Sequence, residues 1–158
     1  MMKKIEKIVV PVDFTRSTKN LVEYAQHIAE DLHAVIDFVH VVPDYPEDAM
    51  VGAPFAQEYQ ERESLESKEK MAALVDETNH VCPGCSGGIV YGKPVDCIIE
   101  FANSKNADLI IIGTHNAKGL EKIILGNIAE HVLEKADCPV LIMNPSKNSS
   151  RSITARVQ

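Results

Sequence analysis

The chain has 158 residues, 45% of them hydrophobic and 25% charged, with no tryptophan and a formal net charge of −7. This length suits a single domain with a sizeable core, and the negative charge argues against a general nucleic-acid binder, which needs a basic face. No apolar run approaches the roughly 20 residues that span a bilayer, and no small-residue cleavage site follows the N-terminal apolar run. The sequence therefore predicts a cytoplasmic protein that binds neither nucleic acid nor membrane.

The first element predicted is a strand. Residues 4–12 contain the continuous apolar run IVVPV, which is typical of a strand covered on both faces. Asp13 follows, and Thr15 or Ser17 is a candidate cap for the next element. Apolar residues then recur on one helical stripe, which predicts a helix ending near His33.

A second strand, a long loop and a charged helix come next. Residues 35–42 are rich in β-branched side chains and predict the second strand. Residues 43–56 hold three prolines and a glycine, which predicts a loop. The first half of residues 57–78 is polar on every face, and the second half is amphipathic. We therefore interpret the segment as an outer helix packed mainly through its C-terminal half.

The second half of the chain repeats the alternation. A turn-rich segment over 79–88 leads into a short strand over 88–91. A helix starts at Pro94, where the missing N–H costs little, and ends near 106–107. Residues 108–112 predict the fourth strand.

A glycine-punctuated loop follows the fourth strand. It runs from Gly113 to Gly126 and leads into a helix whose buried face is apolar. The fifth strand is Pro139–Met143. Residues 144–158 are rich in Ser, Asn and Arg and predict a disordered tail after a single domain over 1–143.

This order of elements predicts the fold class. Strands alternating with helices indicate α/β architecture: an open five-stranded parallel sheet with helices on both faces. Ligands bind such sheets at the carboxyl ends of the strands, where the strand order reverses. If the first and fourth strands are neighbours, Asp13 faces the glycine loop.

The glycine loop has the layout of a backbone anion site. Gly113, Gly119 and Gly126 let the main chain turn tightly and approach a ligand, and the helix after Gly126 presents unpaired N–H groups and the positive end of its dipole. The candidate N–H donors belong to Thr114, Asn116, Asn127 and Ile128, and His115 or Lys118 could add charge. We interpret this loop as a phosphate site.

Asp13 suits the other end of a nucleotide. Its carboxylate can accept hydrogen bonds from an adenine amine or from ribose hydroxyls. The backbone of Val41 and the apolar Val12 and Ile112 could hold a flat base. The alternative is that the glycines serve turns and caps, and that Asp13 merely caps a helix. Neither the P-loop pattern nor GxGxxG after the first strand occurs, which excludes a P-loop NTPase and an ordinary dinucleotide-binding domain.

Several segments resemble the universal stress protein family over about residues 4–143. They are the opening I-VVPVDFT-S, a central G-P---I before a helix, DLIIIGTH, GLEKIILGN-AEHVL and CPVLIM. The family's nucleotide-binding branch carries Gly, two residues, Gly, nine residues, then Gly followed by Ser or Thr. Gly113 and Gly126 match the outer glycines, whereas Asn116 and Asn127 depart from the pattern.

The resemblance implies an adenine nucleotide alpha hydrolase-like (Rossmann-like) sandwich, usually dimeric, that binds ATP or AMP, possibly with Mg. The implied contacts to adenine, ribose and phosphates are Pro11, Val12, Asp13, Val41, Ile112, Gly113, His115, Asn116, Gly126, Asn127 and Ile128. Asn tolerates a left-handed backbone at a cost of about 1 kcal/mol, so weaker phosphate contacts are expected. We expect slow ATP hydrolysis or autophosphorylation at most, and we do not expect a dedicated enzyme.

Two other functions stay open. The chain could be a stress adapter that binds no nucleotide and works through protein contacts. It could also be a redox protein using Cys82 and Cys85, whose CxxC spacing with His80 is a weak zinc candidate. The alternative to both is that Cys82 and Cys85 are structural cysteines in a turn.

The fifth strand is apolar and close to the C-terminus, so we expect it at an edge of the sheet. Exposed apolar edges invite pairing. The family resemblance implies a homodimer through self-pairing of Pro139–Met143.

Overall fold

Six strands form one sheet in the computed structural model, which describes residues 3–44, 53–114, 127–145 and 153–156. The elements in chain order are β1 (Lys7–Pro11), α1 (Thr18–Leu32), β2 (Val35–Val42), α2 (Ala53–Asn79), β3 (Ser86–Tyr91), α3 (Pro94–Ser104), β4 (Leu109–Gly113), α4 (Asn127–Lys135), β5 (Val140–Met143) and β6 (Ile153–Arg156). The strand order is β3-β2-β1-β4-β5-β6. Strands β1 to β5 are parallel, and β6 is antiparallel to β5. The predicted parallel α/β sheet is confirmed.

Most predicted elements are present, with shifted ends. β3 begins at Ser86 and not at Gly88, because Gly87 pairs with Phe38 of β2 within the ladder. α2 begins at Ala53, so the predicted loop over 43–56 ends earlier than expected. The rest of that loop, 45–52, lies outside the described residues.

Side-chain alternation along the strands creates two cores. In β1, Ile8 and Val10 face α1 and α2, whereas Val9 faces α3 and α4. All three side chains are completely buried, and the same alternation continues along β4. Burying one such side chain stabilises the fold by about 1.5–3 kcal/mol. The sheet is therefore the middle layer of three, with helices on both faces.

The helix ends follow local chemistry. α1 ends at His33, which adopts a left-handed conformation and donates its N–H to the carbonyls of Ala29 and Glu30. Ser17 precedes α1 without a side-chain capping bond. α3 begins with Pro94 in its first turn, as predicted. None of the described helices has both the length and the apolar composition needed to cross a bilayer.

The C-terminal tail differs from the prediction. Residues 144–158 were expected to be disordered, yet Ile153–Arg156 forms β6, which pairs with β5. β5 therefore lies between β4 and β6 and is not the edge strand expected for Pro139–Met143. The cause is a tertiary contact. A four-residue strand that follows a polar segment becomes ordered only when another strand accepts its backbone hydrogen bonds.

Candidate functional site

The order of the strands reverses between β1 and β4. The chain runs outward from β1 to β2 and β3, then returns to place β4 on the other side of β1. Ile8 pairs with Leu109 and Val9 with Ile110. The adjacency of the first and fourth strands, on which the sequence argument depended, is confirmed. The carboxyl ends of these strands carry Asp13 and Gly113, so a ligand crevice is expected between them.

Asp13 organises the turn between β1 and α1. Its Oδ1 accepts hydrogen bonds from the N–H of Thr15 at 3.0 Å, from Thr15 Oγ1 at 2.7 Å and from Thr18 Oγ1 at 3.0 Å. The carboxylate is exposed at the edge of the sheet. These three bonds order the turn before α1, whose N-cap residue is Ser17, and they hold the carboxylate in a defined orientation.

The residue after Asp13 adopts an uncommon conformation. Phe14 has φ of 57°, in the left-handed region that non-glycine residues rarely enter. Its ring lies 4.8 Å from the ring of His40. His40 Nδ1 lies 2.7 Å from the carbonyl oxygen of Val12, and because that oxygen only accepts, Nδ1 carries the proton. Such strain concentrates at functional sites, and no residue pattern in the sequence signals it.

The main chain of Val41 points across the end of β1. The carbonyl of Val39 accepts a hydrogen bond from the N–H of Val12 at 2.8 Å. Alternate residues of a strand direct their backbone groups to the same side, so the N–H and C=O of Val41 face the same way. β1 ends at Pro11, opposite Val39. The N–H and C=O of Val41 are therefore directed past the end of β1, at the edge of the sheet that carries Asp13.

The side chains of Val12 and Ile112 do not form one wall. Val12 is 5% exposed and packs with α1 and α2, whereas Ile112 is 4% exposed and packs with α3 and α4. They lie on opposite faces of the sheet, because alternation along each strand sends them there. The side chains of this pair therefore do not face each other across a common pocket, and contacts of Pro11, Val12 and Ile112 with a nucleotide stay a prediction.

The end of β4 holds Gly113 and Thr114, and the Thr114 N–H has a role that the sequence did not predict. A Cβ added to Gly113 would meet Pro145 at 3.4 Å and Leu21 at 3.6 Å, which are ordinary contacts, so packing alone does not require this glycine. Thr114 donates its N–H to the carbonyl of Met143 at 2.8 Å. That N–H belongs to the ladder and is not the ligand donor that the sequence suggested.

The remaining predicted site residues divide into two groups. His115, Asn116 and Gly126 lie outside the described residues. Asn127 and Ile128 open α4 at the carboxyl edge, and the Ile128 side chain is 44% exposed. The first-turn N–H groups of a helix attract anions.

The CxxC segment is part of the core. Cys82 and Cys85 are free thiols, 8% and 7% exposed. Their Sγ atoms lie 3.8 Å from the carbonyl oxygen of Ala34 and 3.4 Å from that of Val75. Burial raises the pKa of both thiols, which opposes formation of a reactive thiolate.

The weak metal candidate is likewise not supported. His80 is exposed, and within the described residues no group of three or more His, Cys, Asp or Glu side chains is arranged to hold a metal ion. The other two cysteines, Cys97 and Cys138, are partly buried and also free. The structure thus favours structural turn cysteines at 82 and 85.

Comparison with known proteins places the chain and its fold in a family. A model of the universal stress protein family matches residues 4–144. The universal stress protein MJ0531 of Methanocaldococcus jannaschii is 32% identical over 148 residues, which cover 90% of this chain and 84% of that protein.

Solved structures share the architecture. The structure of MJ0577 from the same organism gives a TM-score of 0.77 at 28% identity and covers 93% of this chain and 100% of that one. The Archaeoglobus fulgidus universal stress protein in complex with dAMP gives a TM-score of 0.59 at 23% identity, covering 89% and 98% of the two chains, which supports the shared fold alone. The family match over residues 4–144 and the identity to MJ0531 show that this chain belongs to the universal stress protein family.

Proposed function

We propose that this chain binds an adenine nucleotide, ATP or AMP, at the carboxyl edge of β1 and β4, and acts as a nucleotide-responsive binding module in a stress response. The observation that carries the proposal is the backbone of Val41, whose N–H and C=O are directed past the end of β1. An adenine ring presents an acceptor beside its amine donor, so it can satisfy both groups at once. Asp13 stands next to them as an acceptor for ribose hydroxyls.

The phosphate end of the nucleotide is assigned to the start of α4 and the end of β4. The first-turn N–H groups at Asn127 and Ile128 supply donors and the positive end of the helix dipole. Thr114 adds a buried hydroxyl with no hydrogen-bond partner in the described part of the chain. Glu130 lies in the same first turn and weakens the positive field there. His115, Asn116 and Gly126 complete the proposed contacts, as the family motif implies.

Relatives support an adenine ligand. One universal stress protein is solved in complex with cAMP, with a TM-score of 0.63 at 21% identity to this chain, and the Archaeoglobus fulgidus protein is solved with dAMP.

Magnesium is proposed only as a companion of the phosphates. Mg²⁺ is usually held by one or two carboxylates together with substrate phosphates, and Asp13 and Glu130 are the two carboxylates already placed at this edge.

Calorimetric titration of the full chain with ATP, AMP and GTP tests the proposal. We expect saturable binding of ATP and AMP, and binding of GTP weaker by about tenfold or more. Guanine presents an acceptor where adenine presents its amine, and mismatched buried polar groups cost about 1–3 kcal/mol. The absence of binding heat with both ATP and AMP would contradict the proposal.

Two substitutions at Asp13 separate its roles. Asp13→Asn keeps an oxygen for the bonds to Thr15 and Thr18, so the turn is expected to stay formed while nucleotide affinity falls with the loss of charge. Asp13→Ala removes both functions and is expected to cost about 1 kcal/mol of stability as well. If the wild type and Asp13→Asn bind ATP with equal affinity, the carboxylate of Asp13 does not contribute to nucleotide binding.

A second candidate function is that of an adapter without nucleotide. An open groove of about 470 Å³ lies beside α2 and the end of β3, away from the β1 and β4 edge. Two of its lining side chains, Leu65 and Tyr91, are 60% and 45% exposed. Exposed apolar surface of this kind favours protein contacts. The calorimetric titration discriminates between the two functions.

The homodimer expected through Pro139–Met143 also stays a proposal. β6 pairs with β5 along the side where a second copy would pair. Self-pairing of β5 therefore requires that β6 leaves.

A further inference from the structure

β3 is the outermost strand at one end of the sheet, and no other described strand lies along its outer side. Its residues, SGGIVY, include no charged side chain and no proline. Charges and prolines are among the devices that keep the edge strands of natural sheets from pairing. β3 is therefore open to pairing with an extended chain.

The outward backbone groups of β3 belong to alternate residues. The N–H of Gly92, directly after the strand, donates to the carbonyl of Val42 at 3.1 Å, so the even-numbered residues here face β2. Alternation then directs the N–H and C=O of Gly87 and Ile89, and the N–H of Tyr91, away from the sheet. These groups are placed to bond to one more strand.

A groove of about 470 Å³ lies beside this edge. One wall is Tyr91, and the other is a stripe of α2 at helical spacing: Gln57, Gln60, Glu61, Ser64, Leu65 and Lys68. Ser64 Oγ and the Tyr91 hydroxyl share a hydrogen bond, which holds the ring against α2. An added strand would therefore meet side chains of α2 as well as the backbone of β3.

α2 and β3 run in opposite directions, which sets the order of side chains along the groove. A Cβ added to Gly87 would contact Met71, whereas Ser64, earlier in α2, bonds to Tyr91 at the other end of β3. From the Tyr91 end to the Gly87 end, the groove presents a carboxylate, an apolar side chain and an ammonium group, which belong to Glu61, Leu65 and Lys68.

The two charges lie toward opposite ends of the groove. Glu61 and Lys68 are both exposed, and Glu61 Oε1 also accepts a hydrogen bond from Gln57 Nε2 at 3.3 Å. Their separation along the helix axis is about 10 Å. Alternate side chains over five strand residues span about 13 Å on one face, so long charged side chains at the two ends of such a segment reach both groups.

We propose that the β3 edge binds an extended segment of another protein as an added antiparallel strand. Antiparallel pairing is the slightly more stable arrangement per residue. The segment carries a basic, an apolar and an acidic residue at alternate positions, in that order from its N-terminus. The basic residue lies opposite Tyr91 and the acidic residue opposite Gly87, with the apolar residue between them beside Leu65. Backbone bonds supply affinity, and the three side chains supply selectivity.

The proposal gives the adapter function a kind of partner, and it does not rest on the nucleotide site. That site is assigned to the carboxyl edge of β1 and β4, whereas the groove lies beside α2 and β3. A chain that binds no nucleotide can therefore still bind the segment, and separate titrations test the two sites.

Two blocked peptides of the same composition test the proposal on the full-length chain. SKTLTES has the proposed order of charges, and SETLTKS has the reverse order. Titration followed by amide chemical shifts is expected to show saturable binding of SKTLTES. We expect SETLTKS to bind at least about fivefold more weakly, because two exposed charge pairs change from attraction to repulsion. The double variant Glu61→Lys with Lys68→Glu is expected to reverse the preference.

Hydrogen exchange locates the bound peptide. With SKTLTES present, we expect slower exchange at the amides of Ile89 and Tyr91, which face outward. The amides of Gly88 and Val90 face β2 and are expected to exchange as before, so they serve as internal controls. This pattern distinguishes strand addition at the β3 edge from a contact with α2 alone.

Two substitutions of exposed apolar residues complete the test. Leu65→Asp is expected to weaken binding of SKTLTES several-fold. Val81→Asp changes a side chain of similar exposure outside the groove, 57% against 60%, and is expected to leave binding unchanged. Absence of saturable binding of both peptides, or tighter binding of SETLTKS by the wild type, would overturn the proposal. So would protection of the Ile89 and Tyr91 amides that rises with protein concentration alone, since a second copy would then occupy the edge.

Discussion

Thr114 is the first residue beyond β4, and its side chain is 6% exposed. Its N–H joins the ladder to β5, but within the described residues its Oγ1 has no hydrogen-bond partner. Ile110 and Ile112 point toward α3 and α4. Because side chains alternate along a strand, Thr114 points to the same face, on which α4 begins. A buried hydroxyl without a partner costs about 1–3 kcal/mol, which is tolerable where a ligand supplies the missing bond.

Replacing Thr114 by valine tests that role. The two side chains have nearly the same shape, so we expect Thr114→Val to raise the unfolding free energy of the ligand-free protein by about 1 kcal/mol. We also expect its affinity for ATP to fall several-fold. Urea unfolding and calorimetry measure the two effects, and Thr114→Ser, which keeps the hydroxyl, is the control. An affinity for ATP equal to that of the wild type would leave the hydroxyl without a function in binding.

At the scale of elements, the packing of α2 on β3 depends on glycine. α2 is largely polar, and its contact with the sheet is made by its C-terminal half, where Met71 is 4% exposed and Thr78 is completely buried. A Cβ added to Gly87 would lie 2.4 Å from Met71 Sδ and 2.9 Å from Val75 Cγ2. Gly88 faces the other side of the sheet, where an added Cβ would lie 3.1 Å from the ring of Phe101.

These distances predict unequal effects for two neighbouring substitutions. Gly87→Ala is expected to reduce the unfolding free energy by about 1–3 kcal/mol, because the extra methyl overpacks the contact with α2. Gly88→Ala is expected to cost less, since its closest neighbour would need to move by only a few tenths of an ångström. Urea denaturation of both variants provides the comparison. A larger loss for Gly88→Ala would show that α2 does not pack as described.

At the scale of the whole molecule, one carboxylate ties the N-terminal segment to the sheet. Asp108 precedes β4, and its Oδ2 accepts the N–H groups of Glu6 and Lys7 at 3.0 and 3.1 Å. Its Oδ1 lies 2.7 Å from Nζ of Lys3. Burial by itself would raise the pKa of Asp108, but the bonds from Lys3, Glu6 and Lys7 outweigh it and hold the pKa below the usual value.

The lowered pKa of Asp108 predicts how stability changes with acidity. A carboxyl whose pKa is lower in the folded state contributes stability above its unfolded pKa of about 3.9. That contribution is lost as the pH falls through the lower folded value. We expect Asp108→Asn to be less stable than the wild type at neutral pH and to lose less stability below about pH 4. Urea unfolding across this range measures both slopes, and identical acid slopes would contradict the assignment. Lys3→Ala is the companion variant, with a smaller, salt-sensitive effect because that lysine is exposed.

The sequence by itself determined the parallel α/β architecture, since apolar strands alternate regularly with amphipathic helices and the local period decides each element. It also placed Asp13 and Gly113 at the carboxyl edge, because both follow apolar runs directly. Only the tertiary structure decided what depends on neighbours distant in the chain. Phe14 is held in a left-handed conformation beside His40, and the thiols at 82 and 85 are enclosed by the core. β6 forms because β5 offers backbone groups to pair with, and hydrogen bonds between distant strands leave no periodic trace in either segment.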